Sequence, residues 1–352
     1  MGHPTVKNNT PFHFDTLFTN DGDLKPICSA VLKATYRLRP ITEGPLIPLR
    51  EQPEINFEGE FFGDPEASCY RYEPEVAPYK LSTDIALIGT ARAPEAGLTY
   101  FDVGMRVGDY VKGARIFGNR HWYRNIAGFS ISQAEVIESL PLNYHNAFGG
   151  TDVTLEIAEG NPYEVRNPIG KGYHHRQGSL NEGDPLPNIE DPRHLIKHIQ
   201  ECPQPAGFGF INPHWHPRAL LAGTYDEAWD KDRKPLLPKD FNPWFYNAAS
   251  PGWITQQHLI GNEPVSVLNA SPWPKLQFQL PGLVNPMVVF KAKRMEATTV
   301  QLPLDTVIID TDKQLVTLLY RACLPLNKGP HDAESFTVDI PGMTENSFLE
   351  LA

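Results

Sequence analysis

The chain contains no run of about eighteen apolar residues, so no membrane-spanning helix is expected. Its opening, MGHPTVKNNTPFHFD, lacks the apolar stretch of a secretory leader, and the expected compartment is the cytoplasm. Cysteine is scarce. Cys28, Cys69, Cys202 and Cys323 lie far apart, without the close spacing of a structural zinc site or a redox dithiol, and read as ordinary thiols. No long Lys/Arg run offsets a formal net charge of -11, which argues against nucleic acid as a partner. Catalytic signatures are missing as well: there is no GxSxG and no HExxH, and AFGGTD (147–152) lacks the spacing and the Lys-Ser/Thr of a phosphate loop. Disorder is not expected either, because hydrophobic residues make up 41% of the chain and charged residues only 21%.

Aromatics and prolines are abundant, and they are concentrated. Five of the six tryptophans fall between Trp215 and Trp273, in a stretch that includes PAGFGFINPHWHPR, DFNPWFYNAASPGW and LNASPWPKLQFQLPG. That stretch has neither strand alternation nor a helical period. It is either a large irregular insert ordered by packing or a binding surface built from rigid rings.

Three regions follow from texture. Residues 1–130 read as strands: 27–38 and 81–94 are rich in β-branched residues. Segments 98–108 and 110–123 form neighbouring antiparallel strands broken at Gly108-Asp109, with Phe101, Val103, Met105 and Val107 on one face. Residues 131–282 form a loop-rich insert holding more than half of the 34 prolines, with short helices expected at 131–142, 191–200 and 224–233. Residues 283–352 return to strands, including a hairpin of TVII and LVTLLYRA about Asp310–Lys313 and an edge strand in HDAESFTVDIPG. The expected fold is mainly β, with antiparallel sheets in a sandwich or partly open barrel. The two strand-rich ends would complete one framework around the insert.

Several clusters carry candidate chemistry. In RIFGNRHWYR (115–124), Arg115, Arg120, His121 and Arg124 suit a carboxylate or an acidic peptide, and Trp122 adds apolar area; a half-exposed strand with ordinary cross-strand pairs is the alternative. His214 and His216 flank Trp215, and His194 and His198 are four apart. Neither pair has a neighbouring ligand that completes a metal site, so no metal or other cofactor is expected. PLNYHNAFGGTD reads as a tightly tied loop or a binding loop. Trp244, Phe245, Tyr246 and Trp253 lie near prolines that hold the backbone extended, as protein-contacting anchors would.

These segments also resemble, in order along the chain, the bacterial type VI secretion effector adaptor or chaperone family, long known only as a domain of unknown function. The resemblance runs from about Asn8 to Ala322. It is carried by NNTPF, DVGMRVGDYVKGARIFGNRHWYR, PLNYHNAFGGTD, RNPIGKGYH, LPNIEDPRHLI, PAGFGFINPHWHPR and AGTYDEAWDKDRKPLLPKDFNPWFYNAA. It implies a non-enzymatic, cytoplasmic loading factor that holds the PAAR-like region of a secreted effector and helps place it on the VgrG spike. The basic-aromatic strand and the middle aromatic loops would then face the partner. Two other classes compete. A carbohydrate- or peptide-processing enzyme could use Asp152, Asp191 or Asp226 as acid-base groups, and a structural subunit of a phage-like assembly would self-associate.

Overall fold

The computed structural model describes residues 4–126, 128–154, 160–175, 179–283 and 286–342. The protein is mainly β, with antiparallel pairing dominant. Among the described residues the helical content is one α-helix, Glu227–Asp232, and a few single 3-10 turns. Of the three expected helices only this one forms, with Asp226 as its N-cap. Segment 131–142 is largely extended and ends in the strand Ser139–Pro141, and 191–200 is a series of turns. Both contain helix-compatible residues, but tertiary pairing overrides so weak a local preference.

The central sheet joins the two ends of the chain. Its order is His13–Asn20, Pro26–Arg37, Leu315–Pro325, Leu304–Asp310 and Asp84–Ile88, with Ile47–Pro48 also paired to Pro26–Arg37. The 304–325 hairpin turns where its sequence suggests. Leu315–Pro325 runs antiparallel to Pro26–Arg37, and Leu304–Asp310 runs parallel to Asp84–Ile88. Both faces of this sheet are covered at its centre, so Pro26–Arg37 and Leu304–Asp310 are buried without alternation, while the edge strand His13–Asn20 is half-buried.

The two faces differ in chemistry. One is apolar: Ala30, Leu32, Ala34 and Tyr36, with Leu318 and Tyr320 across from them, join the main core. The other is ionic and lies under the segment from about 49 to 84. Lys33 Nζ meets Glu75 at 2.8 Å, Arg321 Nε meets Asp305 at 2.6 Å, and Lys80 Nζ meets Asp84 at 2.7 Å. Ser29 donates to the carbonyl of Pro78 at 2.7 Å. Buried charges are tolerated when each has a partner, and here the carbonyls of Glu54, Glu75 and Ala77 complete the cations' shells.

A five-stranded antiparallel sheet has the order Ile189–Glu190, Tyr110–Phe117, Tyr100–Val107, Pro264–Leu268 and Lys275–Gln279. Phe101, Val103, Met105 and Val107 face the core, as their alternation predicts. Two of these strands come from the end of the region expected to be loop-rich: residues 264–279 form a hairpin whose first strand pairs with Tyr100–Val107. A four-stranded sheet has the order Thr5–Asn8, Ala333–Asp339, Met287–Ala292 and Thr298–Gln301. The expected edge strand near the end of the chain is therefore an inner strand, flanked on one side by a parallel N-terminal strand. Side chains from all three sheets meet in one continuous core.

Candidate functional site

The candidate residues divide sharply by burial. Trp122, Trp215 and Trp253 are interior; Trp253 has 0% of its surface exposed. Trp122 packs with Phe148, Leu186 and Ile196, and Trp215 meets the edge of Tyr144 with ring centroids 5.7 Å apart. These three rings order the loops they belong to and offer nothing to a partner, which corrects their expected role. Arg120 is also enclosed: it pairs with Glu190, donates to the Pro187 carbonyl at 2.7 Å and stacks 3.7 Å from the Phe117 ring centroid. Arg115 is half-buried and holds Asp102 through two hydrogen bonds of 2.8 and 3.0 Å. His121, Arg124 and His214 are exposed; His216 is half-buried and its amide donates to the Val165 carbonyl.

What remains outside is a compact aromatic unit, residues 218–246. Its base is Arg218. That guanidinium pairs with Glu73, donates to the carbonyls of Phe245 and Ile211 at 2.8 Å each, and lies 5.0 Å over the Phe245 ring. Burial pushes the Glu73 carboxyl up, opposed by Arg218 and Lys80. Asn242 caps the 3-10 turn Pro243–Tyr246 by accepting the Trp244 amide at 3.1 Å. Asn247 then ties the chain to the central sheet through Asp84 and the Ser82 carbonyl, both at 3.0 Å. Above this base Phe241, Phe245, Tyr246 and Tyr79 pack edge to face. Trp229 is held by its indole N–H on the Leu236 carbonyl at 2.8 Å and by the ring of Tyr225 at 4.7 Å. Trp244, 37% exposed, stands at the surface with Leu220 and Tyr225, while Phe245 and Tyr246 are half-buried. Leu220 and Tyr225 are not legible as site residues, because nothing in their local sequence distinguishes an outward apolar side chain from an inward one.

The glycine loop is a structural knot. A Cβ at Gly149 would fall 2.1 Å from the Asn167 carbonyl, and one at Gly150 would fall 2.6 Å from that of Gly170. Asn167, fully buried, donates to the carbonyls of Tyr144 and Phe148 at 2.8 and 2.9 Å.

The acidic residues weighed for catalysis each serve their own loop. Burial raises Asp152, but hydrogen bonds from Ser179, Thr154 and the His175 amide outweigh it and hold the carboxyl down at about 2. Asp191 is held by Arg193, and Asp226 caps its helix. Two hydroxyl–amine pairs among the described residues have the spacing of a nucleophile and its base: Lys80 Nζ lies 3.0 Å from Thr306 Oγ1 but is committed to Asp84, and Lys112 Nζ lies 2.9 Å from Ser250 Oγ. Ser250, however, has no exposed surface, and its hydroxyl donates to the Gly207 carbonyl at 2.9 Å. Among the described residues no group of three or more His, Cys, Asp or Glu could hold a metal ion, and no helix is long and apolar enough to cross a membrane. An open cleft of about 520 Å³ beside Phe12, Leu46 and Leu280 is lined by apolar and neutral side chains only.

The residues thus left at the surface form an aromatic cluster on a β scaffold. The chain belongs to the DUF2169 family, whose model matches residues 23–321 and whose description is "Uncharacterized protein conserved in bacteria". No curated protein and no solved structure matches it.

Proposed function

We propose that the protein is a non-enzymatic adaptor that binds a type VI secretion effector through its PAAR-like region and helps load it onto the VgrG spike. The observation that carries this reading is the 218–246 unit, a cluster of aromatic rings fixed from below by Arg218, Glu73 and Asn247, with Leu220, Tyr225 and Trp244 turned to solvent. Rings held rigid before binding lose little conformational freedom when a partner covers them, which is why such residues dominate the energetics of protein interfaces. Asn242 holds the Trp244 amide beside the packed rings of Phe245 and Tyr246, while Arg124, over the Phe129 ring, and His121 are further exposed basic residues for the same role. In this reading the adaptor acts in the cytoplasm and uses no cofactor. The order of family-like segments along the chain supports this choice of partner, and the exposed, fixed rings support this choice of surface.

The test is coexpression of the protein with a PAAR-containing effector and its spike protein, followed by affinity capture. Wild type is expected to retain the effector. A Tyr225→Ala/Trp244→Ala variant with an unchanged melting temperature is expected to lose most of it. Equal capture by the folded variant would remove this unit from the interface, and failure of wild type to capture any PAAR-containing effector would remove the adaptor reading itself.

A further inference from the structure

One face of the five-stranded sheet is open. The core-facing set on Tyr100–Val107 leaves Tyr100, Asp102, Gly104 and Arg106 on the other side. Strand register places Phe117, Arg115, Gly113 and Val111 directly opposite these four. Leu268 and Ser266 continue the Gly104 and Arg106 rows on the next strand, and Lys275 and Gln277 end them. Tyr100, Arg106, Val111, Leu268 and Lys275 are all exposed. An antiparallel sheet normally turns polar residues to water on such a face, so the exposed apolar side chains here call for an explanation.

Two features give this face a shape and a sign. Gly104 and Gly113 are direct cross-strand partners, so no side chain rises from the middle of these two strands and the backbone forms the floor of a trough. The trough is walled on one side by Tyr100, Phe117 and the Arg115–Asp102 pair, and on the other by Arg106 and Val111. The charges are Arg106, Arg115 and Lys275 against two carboxylates in the row of Arg115, Asp102 held by Arg115 itself and Glu190 held by Arg120. Asp109 lies beyond, in the hairpin turn. Neither Arg106 nor Lys275 is engaged by any of the ion pairs the protein forms among its described residues. A cleft of about 360 Å³ continues from Tyr100 and Phe117 toward Ser132 and Gln133, and Arg120 lines it. Arg120 is more than nine-tenths buried, and its Nε–H finds no acceptor among the described residues. Glu190 already meets the charge of Arg120, so on a chain whose net charge is -11 the local positive surface is that of Arg106 and Lys275.

From these observations we infer that the open face of the five-stranded sheet is a docking surface for an extended acidic segment of a partner polypeptide, with its apolar side chains on Val111, Leu268 and Tyr100 and its carboxylates toward Arg106 and Lys275. Charge complementarity selects the occupant. Two cations free of ion pairs among the described residues, with no accompanying Lys/Arg run, are too few to track a phosphate backbone, whereas they match a peptide carrying a few Asp or Glu residues between apolar ones. The inference stands apart from the aromatic unit and does not depend on the partner's belonging to a secretion system.

The probe is a fluorescein-labelled peptide of alternating glutamate and leucine, titrated with the full chain by fluorescence anisotropy; a lysine–leucine peptide of equal length is the control. The glutamate peptide is expected to bind, the lysine peptide is not, and added salt is expected to weaken the complex. Arg106→Glu/Lys275→Glu should reduce affinity by about tenfold or more. Gly104→Thr fills the trough with a strand-favouring residue, so it should keep or raise the melting temperature while weakening binding. Equal binding of the two peptides, undiminished binding by the folded charge-reversal variant, or no binding of the glutamate peptide to wild type would each overturn the proposal. So would tighter binding of a thymidine oligonucleotide through the same residues, which would make the face a polyanion site.

Discussion

Lys112 should make the protein more stable as pH rises through neutrality. Its ammonium donates to Ser250 Oγ at 2.9 Å and to the Pro251 carbonyl at 3.0 Å, and it lies 5.8 Å from the Phe208 ring. Both acceptors are neutral. Burial, opposed by Asp191 and reinforced by Arg193, pushes the group down from 10.5 to about 7. The folded chain therefore releases this proton near neutrality, while the unfolded chain keeps it until about 10.5. Between those values the unfolded state binds more protons, so stability increases with pH. Below them both states are charged, and the desolvation cost is present in full. A proton held only by the unfolded chain is worth about 1.4 kcal/mol for each step of one in pH, and the folded group is still part-charged at pH 7, so the gain from pH 7 to pH 9 is about 2 kcal/mol. Other groups titrate over the same range, so the informative quantity is a difference. Lys112→Met keeps the length and apolar stem of the side chain and removes the amine. Urea unfolding at a series of pH values should show wild type gaining about 2 kcal/mol on the variant between pH 7 and 9, with the variant the more stable at neutral pH. Parallel stability curves for the two proteins would refute the argument.

Three further outcomes follow from burial and backbone geometry. Trp253→Ala should cost about 3–5 kcal/mol by leaving a core cavity, whereas Trp244→Ala should cost about 1 kcal/mol or less, a contrast thermal melting resolves. Gly149→Ala should destabilise by about 3 kcal/mol or more, because φ is +149° and the new methyl would meet the Asn167 carbonyl; soluble yield and melting temperature report this. Asp305→Asn leaves the enclosed Arg321 guanidinium without its countercharge and should cost about 3–5 kcal/mol in urea unfolding.

Much of the β framework is legible in the residues, because alternation and turn chemistry are local. The 98–117 hairpin, the turn at Asp310–Lys313 and the short helix within 224–233 all follow from short-range pattern. The same parity rule that places Met105 inside places Arg106 outside, so the open face was readable from the sequence; attention to the core half of the pattern hides it. Other features are not local. Strand Pro26–Arg37 reads as a generic apolar run, yet its odd-numbered side chains, such as Lys33, complete an ionic layer with Glu75, more than forty positions away. Arg218 looks like any surface arginine until Glu73 and two carbonyls close around it. Trp253 and Trp244 sit in one proline-rich stretch with the same composition around them, and only tertiary packing sends one inward and leaves the other at the surface.

The burial pattern itself limits where a partner can bind. A sheet covered on both faces can contribute to recognition only through its edges, and at the longest edge, His13–Asn20, the amide of Thr16 is already occupied by the Asp15 carboxylate at 2.7 Å. The four-stranded sheet turns Thr5, Lys7, Ser335 and Thr337 outward at its first two strands, short polar groups and a lysine that suit water as well as any protein. Among the described residues, the rings held above Arg218 and the trough between Arg106 and Arg115 both combine apolar area with fixed geometry. Each is anchored by a guanidinium whose charge is met on the spot, by Glu73 in one case and Asp102 in the other. A surface held in place in this way loses little order on binding, so a partner that covers either one gains most of the apolar contact energy.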